Sequence, residues 1–254
     1  MRHRLTLVPH FFIHNLAAMK SSVLRIDPGE PSIGRRQILV GAACRATSLA
    51  GVLGGFPALN LRAQTGFNPG DASADSQGFW ERPRWVWLKR SVTGEQIKVV
   101  YWQDGVLLAE PYNQVCWFLR DVRFERMLAA NDPKIRLALN RGQITDQHLS
   151  AWVLMDSVLL DILYAFSAWL AMFGINAPII LTSAFRHLIT NLMTEGAARD
   201  SWHMQGGAAD IVVPGVSPVA LAKFGQWLSG GGVGVYPSRG FIHLDRGRVR
   251  SWRG

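Results

Sequence analysis

Two stretches hold the side chains best suited to chemistry: SWHMQGGAAD, residues 201–210, and FIHLD, residues 241–245. The first sets His203 and Asp210 at the two ends of a run poor in side chains. The second sets His243 two residues before Asp245. Residues at i and i+2 of a strand face the same side, so His243 and Asp245 share a face, as a metal ligand and an outer-shell carboxylate would. A catalytic zinc takes three protein ligands and keeps a fourth position open for water. Two histidines and one carboxylate meet that need, and zinc brings the pKa of such a water to about 7. Gly206, Gly207, Ala208 and Ala209 would let the backbone turn sharply and pack closely. His203 and Asp210 could then converge from a loop and from the strand after it. Spacing alone leaves another reading open: a surface histidine and a strand-starting aspartate with no metal.

The elements that must position these residues follow from the pattern around them. WVWLKRSVTGEQIKVVYWQDG holds two β-rich runs about Thr93-Gly94 and predicts a hairpin. Residues 112–130 predict a helix. A second helix is expected over 146–173, with Thr145 as N-cap and Gly174 at its end. No charged residue falls between Ile162 and Ile180, so a membrane span has to be weighed. Gly174, Asn176 and Pro178 break the run, and Asp156 and Asp161 would sit at its edge. A buried helix followed by a strand, PIILTSAF, fits better. A short helix near 187–196 and an amphipathic helix capped by Ser217 follow, then strands at GVGVYP, GFIHLD and RVRSW. The fold class expected is α+β: helices packed on a small, mainly antiparallel sheet. His187 is expected on a helix surface and His148 in the first turn of a helix.

The chain has 254 residues, 48% of them hydrophobic, and a formal net charge of +9. Eight Lys/Arg against two acidic residues precede Gln64, which leaves 19 against 16 beyond it, a net of +3. The basic excess therefore belongs to the N-terminus and does not argue for a nucleic-acid partner. Residues 35–63, RRQILVGAACRATSLAGVLGGFPALNLRA, place Arg35-Arg36 before an Ala/Gly-rich apolar run. This resembles a twin-arginine export signal, and five Gly/Pro residues make the run a poor folded helix. Residues 1–63 are thus expected to be an export signal, 64–84 a flexible lead-in, and 85–254 the functional domain. The mature protein would start near Gln64, lie in the periplasm and carry no membrane span. Cys44 and Cys116 cannot form a zinc knuckle by their spacing.

The segments SWHMQGGAADI (Ser201 to Ile211) and GGVGVYPSRGFIHLDRGRVRSW (Gly231 to Trp252) resemble the murein LD-endopeptidase branch of the D-Ala-D-Ala-carboxypeptidase/hedgehog zinc fold. TSAFRHLITN is similar to that family's SGYR…N segment, with Ala184 and Phe185 where Gly and Tyr are usual. TGEQIKVVYWQDG and FLRDVR resemble its N-terminal elements. By position, the resemblance implies one zinc per chain on His203, Asp210 and His243. It implies that Arg186 supports the substrate carbonyl or its oxyanion, a surface salt bridge being the plainer role. Ser201 and Asn191 would orient loop backbone or substrate. Relatives place an acidic residue or a histidine two or three positions before the last ligand. Here Phe241 and Gly240 stand there, and neither accepts a proton. Asp245 could be the base or could only hold His243 in its tautomer. Asp200 is a further candidate.

The resemblance implies a periplasmic zinc peptidase that cuts peptide cross-links of peptidoglycan, between two meso-diaminopimelate residues in the best-matching branch. A D-Ala-D-Ala carboxypeptidase and a non-catalytic cell-wall-binding module are the alternatives on the same fold. Changing Arg35 and Arg36 together to lysine should strand the protein in the cytoplasm. Fractionation of cells expressing both forms tests this, and unchanged export overturns the twin-arginine reading.

Overall fold

The computed structural model describes residues 78–254; the expected export segment, 1–63, and residues 64–77 of the expected lead-in lie outside them. Residues 78–84 are built into the fold. They form a helical turn over 78–81 and then enter the first strand. Phe79 stacks on Tyr164 at 4.9 Å, and Trp80 is buried in the core.

Among the described residues, eight strands form a single sheet: β1 (Arg84–Arg90), β2 (Gln96–Gln103), β3 (Val106–Leu107), β4 (Ile179–Ser183), β5 (Ala208–Val212), β6 (Gly232–Tyr236), β7 (Phe241–Asp245) and β8 (Arg250–Arg253). Their order is β3-β2-β1-β4-β5-β7-β6-β8. β1 pairs with β4, and β6 with β8, in parallel. The other pairings are antiparallel. The α+β class and the mostly antiparallel sheet agree with the expectation, while one continuous sheet of eight strands is larger than "small" implied. The hairpin about Thr93-Gly94 is β1–β2. Gly94 has φ 74°, and its N–H donates to the Arg90 carbonyl.

Among the described residues, beyond the turn at 78–81, six α-helices cover or border the sheet: α1 (Ala109–Phe118), α2 (Val122–Ala129), α3 (Pro133–Asn140), α4 (Ser157–Met172), α5 (Leu188–Leu192) and α6 (Pro218–Leu228). The apolar sheet residues Ala209, Ile211, Ile242 and Leu244 join α4 and α6 residues in the main core. Alternation along β5 and β7 then turns Asp210, His243 and Asp245 to the opposite face. A smaller cluster of Phe124, Ile135, Ala138, Ile144, Ala151 and Ile189 ties α2, α3 and α5 together.

Two helices differ from their expected extents. The run 112–130 is two helices, because the Asp121 carboxylate accepts from Arg123 N and Phe124 N and starts α2 there. A short side chain that bonds nearby backbone N–H groups favours a helix start over a helix interior. The run 146–173 begins with only a 3-10 turn, Asp146–His148, and α4 starts at Ser157 with Asp156 as its N-cap. The chain between them is held by tertiary bonds: Ala151 O accepts from Asp121 N, Met155 N donates to Cys116 Sγ, and Asp156 N donates to Gly206 O. Gly174 follows the end of α4 with φ 73°. Among the described residues, no helix is long and apolar enough to cross a membrane.

The uncharged run that raised the membrane question is the core-facing helix α4, and its one buried carboxylate has a partner. Asp161 takes two bonds from Arg84 Nη1, at 2.9 and 2.8 Å, and one from Tyr101 Oη at 2.9 Å. The Arg84 guanidinium also donates to Trp80 O and lies 3.9 Å from the Trp102 ring. Removing one member of a buried pair leaves the other charge uncompensated, at a cost of about 3–5 kcal/mol. Asp161→Ala should therefore lower unfolding free energy by about that amount in a denaturant titration, although it lies far in sequence from any candidate ligand. A loss below about 1 kcal/mol would show that the pair adds nothing.

Candidate active site

Asp210 on β5 and His243 on β7 sit directly opposite each other in the antiparallel register. Directly opposed side chains on one face of such a pair lie close enough to touch, and His243 Nδ1 is 2.9 Å from Asp210 Oδ1. His203 enters from a 3-10 turn, Trp202–Gln205, that follows Ser201 and ends at Gly206 with φ 70°. Its Nε2 is 3.1 Å from His243 Nδ1 and 3.3 Å from Asp210 Oδ1. The three residues form a group able to hold a metal ion, with one ligand atom each inside a 4.8 Å span.

The small residues between His203 and Asp210 are there for want of room. A Cβ on Gly206 would meet Val153 Cγ2 at 3.0 Å, and one on Gly207 would meet Arg246 Cγ at 2.9 Å. Ala208 and Ala209 are fully buried. Asp156 N donates to Gly206 O and Arg246 N to Gly207 O, and the two side chains close over the turn as an ion pair at 2.7 Å.

The far nitrogen of each imidazole has its own partner. His203 Nδ1 is 2.6 Å from Ala184 O, which accepts only from an N–H, so Nε2 keeps the free lone pair. His243 Nε2 is 3.0 Å from Asp245 Oδ2. Asp245 has no exposed surface. It also accepts from Arg250 at 2.9 and 2.7 Å and from the backbone N–H groups of Gly247 and Gly232, at 2.8 and 3.3 Å. Burial pushes the Asp245 and Asp210 carboxyls up, but the donors around them outweigh it and hold both well below the usual carboxylate range. For Asp210 those donors are His203 and His243. Burial lowers the His243 imidazole, and the hydrogen bonds to Asp210 and Asp245 reverse it to a net rise.

Arg186 also reaches this face. Its guanidinium donates to Asn191 Oδ1 at 3.3 Å and Ser183 Oγ at 3.2 Å, and lies 3.7 Å from Asp210 Oδ2. Asn191 is buried, and its amide N–H donates to Ala198 O. Ser201 is buried, and its hydroxyl accepts from His203 N. Both side chains are taken up by the scaffold, and neither offers an open surface to a substrate. Asp200 is exposed and accepts from Gln205 Nε2. Arg250 and Trp252, whose ring is 5.4 Å from that of His243, were given no role from the sequence. Their only signal was their place within the motif Gly231 to Trp252.

A family model described as peptidoglycan L,D-endopeptidase MepK matches residues 138–252. The chain is 27% identical over 175 residues to the peptidoglycan L,D-endopeptidase MepK of Escherichia coli strain K12, covering 67% of this chain and 81% of that protein. The protein of the same name from Shigella flexneri matches to the same extent. A probable peptidoglycan L,D-endopeptidase MepK of Haemophilus influenzae is 39% identical over 83 residues, 31% of this chain and 45% of that protein. No solved structure matches the chain.

His187, beside Arg186, is buried rather than on a helix surface. It caps α5 with Nδ1 accepting from Ile189 N, donates through Nε2 to His148 O, and stacks on Phe124 at 3.5 Å. Its own N–H donates to the buried Asp121 carboxylate, which also takes the Thr190 hydroxyl. His148 lies in the 3-10 turn, with Nδ1 accepting from Thr145 N. Burial lowers the His187 imidazole below its ordinary value of 6.5, against the raising effects of His148 O and Asp121. The unfolded chain then binds the proton more readily than the folded one. Stability from this group is present above about pH 6.5 and is lost as pH falls through that value. In His187→Asn, which keeps a capping oxygen, the loss between about pH 6.5 and 5 should be smaller than in the wild type. Parallel pH–stability curves that never converge would overturn this.

Proposed function

We propose that this chain belongs to the murein LD-endopeptidase branch of the D-Ala-D-Ala-carboxypeptidase/hedgehog superfamily and is a periplasmic zinc peptidase that hydrolyses peptide cross-links of peptidoglycan. The observation that carries the reading is the convergence of His203 Nε2, Asp210 Oδ1 and His243 Nδ1. Ligands about 2.0–2.1 Å from a tetrahedral zinc stand about 3.3 Å apart. The three separations here are 2.9, 3.1 and 3.3 Å. Two imidazoles and one carboxylate are also a donor set that zinc hydrolases use. Zinc held there would supply Lewis acidity, easing the ionisation of water and polarising the carbonyl to be attacked.

The chain's own residues prepare that chemistry. Ala184 O and Asp245 each take the N–H of one imidazole and so fix which nitrogen turns inward. An outer carboxylate of this kind also raises the basicity of the inward nitrogen. Asp245 lies behind His243 with its oxygens engaged by Arg250, Gly232 and Gly247, which supports a positioning role over that of proton acceptor. Arg186 supplies a fixed positive charge close to Asp210, and Asn191 and Ser183 hold its guanidinium. A donor aimed at developing oxyanion charge and already held in place is worth about 10²–10³ in rate. Asn191 and Ser201 serve that geometry through Arg186 and through the turn that carries His203. The relatives' printed name and the Arg35-Arg36 signal support a cell-wall substrate and export.

Digestion of purified cross-linked muropeptides by the zinc-loaded protein, with product masses, tests the reading and separates it from carboxypeptidase and binding-only alternatives. His203→Ala should lose zinc and cleavage together, and full zinc occupancy in that variant would overturn the ligand set. Asp245→Asn should weaken zinc binding by about 10–100-fold, with excess metal restoring most of the rate. Normal zinc affinity with a rate lowered by about 10²–10⁴ would instead make Asp245 the proton acceptor.

A further inference from the structure

Beside His243 the sheet carries a group of aromatic side chains that the chemistry above does not use. Gly234 is the cross-strand partner of both His243 on β7 and Trp252 on β8. Having no side chain, it lets the indole lie over it: a Cβ there would stand 2.6 Å from Trp252 Cε2 and Cζ2. Trp252 Nε1–H donates to Tyr236 Oη at 2.9 Å, which fixes the ring. Tyr236 stacks on its cross-strand partner Phe241 at 4.6 Å and 14°. The Arg250 guanidinium, held by Asp245, lies 4.8 Å from the centre of the Trp252 ring. Trp252, Tyr236 and Phe241 are all half-buried, so each still shows part of its surface to solvent. Arg239 stands at the rim, exposed and 5.8 Å from the centre of the Tyr236 ring. Among the described residues, no carboxylate is paired with it.

We propose that Trp252, Tyr236 and Phe241 form a shelf that receives the methylene arm of the diaminopimelate that supplies the scissile nitrogen, with Arg239 taking the carboxylate at the far end of that arm. The proposal rests on the peptidase reading and names the part of the substrate that the site grips. A diaminopimelate joined through one amine has three methylenes beyond the carbon that bears the scissile nitrogen, and where it ends its stem peptide a free carboxylate stands at their far end. An apolar stem with a charged end packs its carbons on an aromatic surface and keeps the charge at the wet edge. The shelf and its rim arginine offer those two features in that order outward from His243. A rigid indole with its N–H already bonded loses little freedom on binding, which favours affinity. The apolar surface is continuous with the ligand cluster, since Trp252 lies 5.4 Å from the His243 ring.

The test uses zinc-loaded full-length protein and a purified muropeptide dimer cross-linked between diaminopimelates, with the far-end carboxylate of the residue that supplies the scissile nitrogen either intact or amidated. Trp252→Leu should raise KM about tenfold with kcat within about twofold and zinc content unchanged, and Trp252→Phe should recover most of the loss. Arg239→Ala should raise KM for the carboxylate substrate to that for the amidated one, and leave the amidated one unaffected. An unchanged KM in Trp252→Leu, or an equal effect of Arg239→Ala on both substrates, overturns the shelf. Calorimetric binding of the same dimers to wild type and variants gives this answer even without cleavage. A wild type that binds but does not cut overturns the proposed function and leaves the shelf standing. Equal binding to all variants overturns the shelf alone, and no binding by the wild type overturns both.

Discussion

The site depends on one cross-strand pairing, Asp210 opposite His243. Side chains alternate along a strand, so a slip of one residue between β5 and β7 would turn the carboxylate and the imidazole to opposite faces. The register is held from the other face, where Ala209, Ile211, Ile242 and Leu244 are packed beneath α4 and α6. The apolar half of each strand therefore sets the position of the polar half. His203 is adjusted to this pair by a separate device. Its turn is bonded to the strand end through Ala184 O and Arg186 N and is closed over by Asp156 and Arg246.

Around the pairing, charge is buried only where it is matched. Asp245 carries no exposure and is met by four donor groups, among them the guanidinium of Arg250. Asp121 is met by backbone N–H groups from α2 and from the start of α5. That carboxylate joins the small helical cluster to the segment bearing Arg186, so the position of the proposed oxyanion donor is tied to the packing of α2. Arg84 and Asp161 play the same part on the far side of the core. Such groups are costly to bury and costlier to leave unpaired, which makes each of them a fixed point in the chain's geometry.

Much of this was legible in the sequence, and what was missed shares one cause. Local signals gave the β1–β2 hairpin, the Ser217-capped helix and the three C-terminal strands, because turns, caps and alternation are written within a few residues of where they act. The His203, Asp210 and His243 set was visible from residue type and spacing, though its convergence needed the sheet. The break at Asp121 was hidden because its helix-starting role depends on a carboxylate that also binds His187 and Thr190, some 66 and 69 residues away. His187 was misjudged for the same reason: Phe124 and His148 bury it from a distance in sequence. The partners of Asp245 were equally unreadable, since Gly232 and Arg250 meet it only through strand register.

The parallel pairing of β1 with β4 has a consequence for how much of the chain is needed to carry the site. The strands bearing Asp210 and His243 all lie on one side of β4, while β1, β2 and β3 lie on the other. A fragment beginning at residue 138 would keep every candidate ligand, yet β4 would become an outer edge with backbone N–H and C=O groups along Ile179–Leu181 left without their partners. Bare edges of this sort recruit strands from other molecules. The hairpin that contributes none of the candidate ligands is in this sense the guard of the fold, keeping a β-rich, apolar strand from self-association.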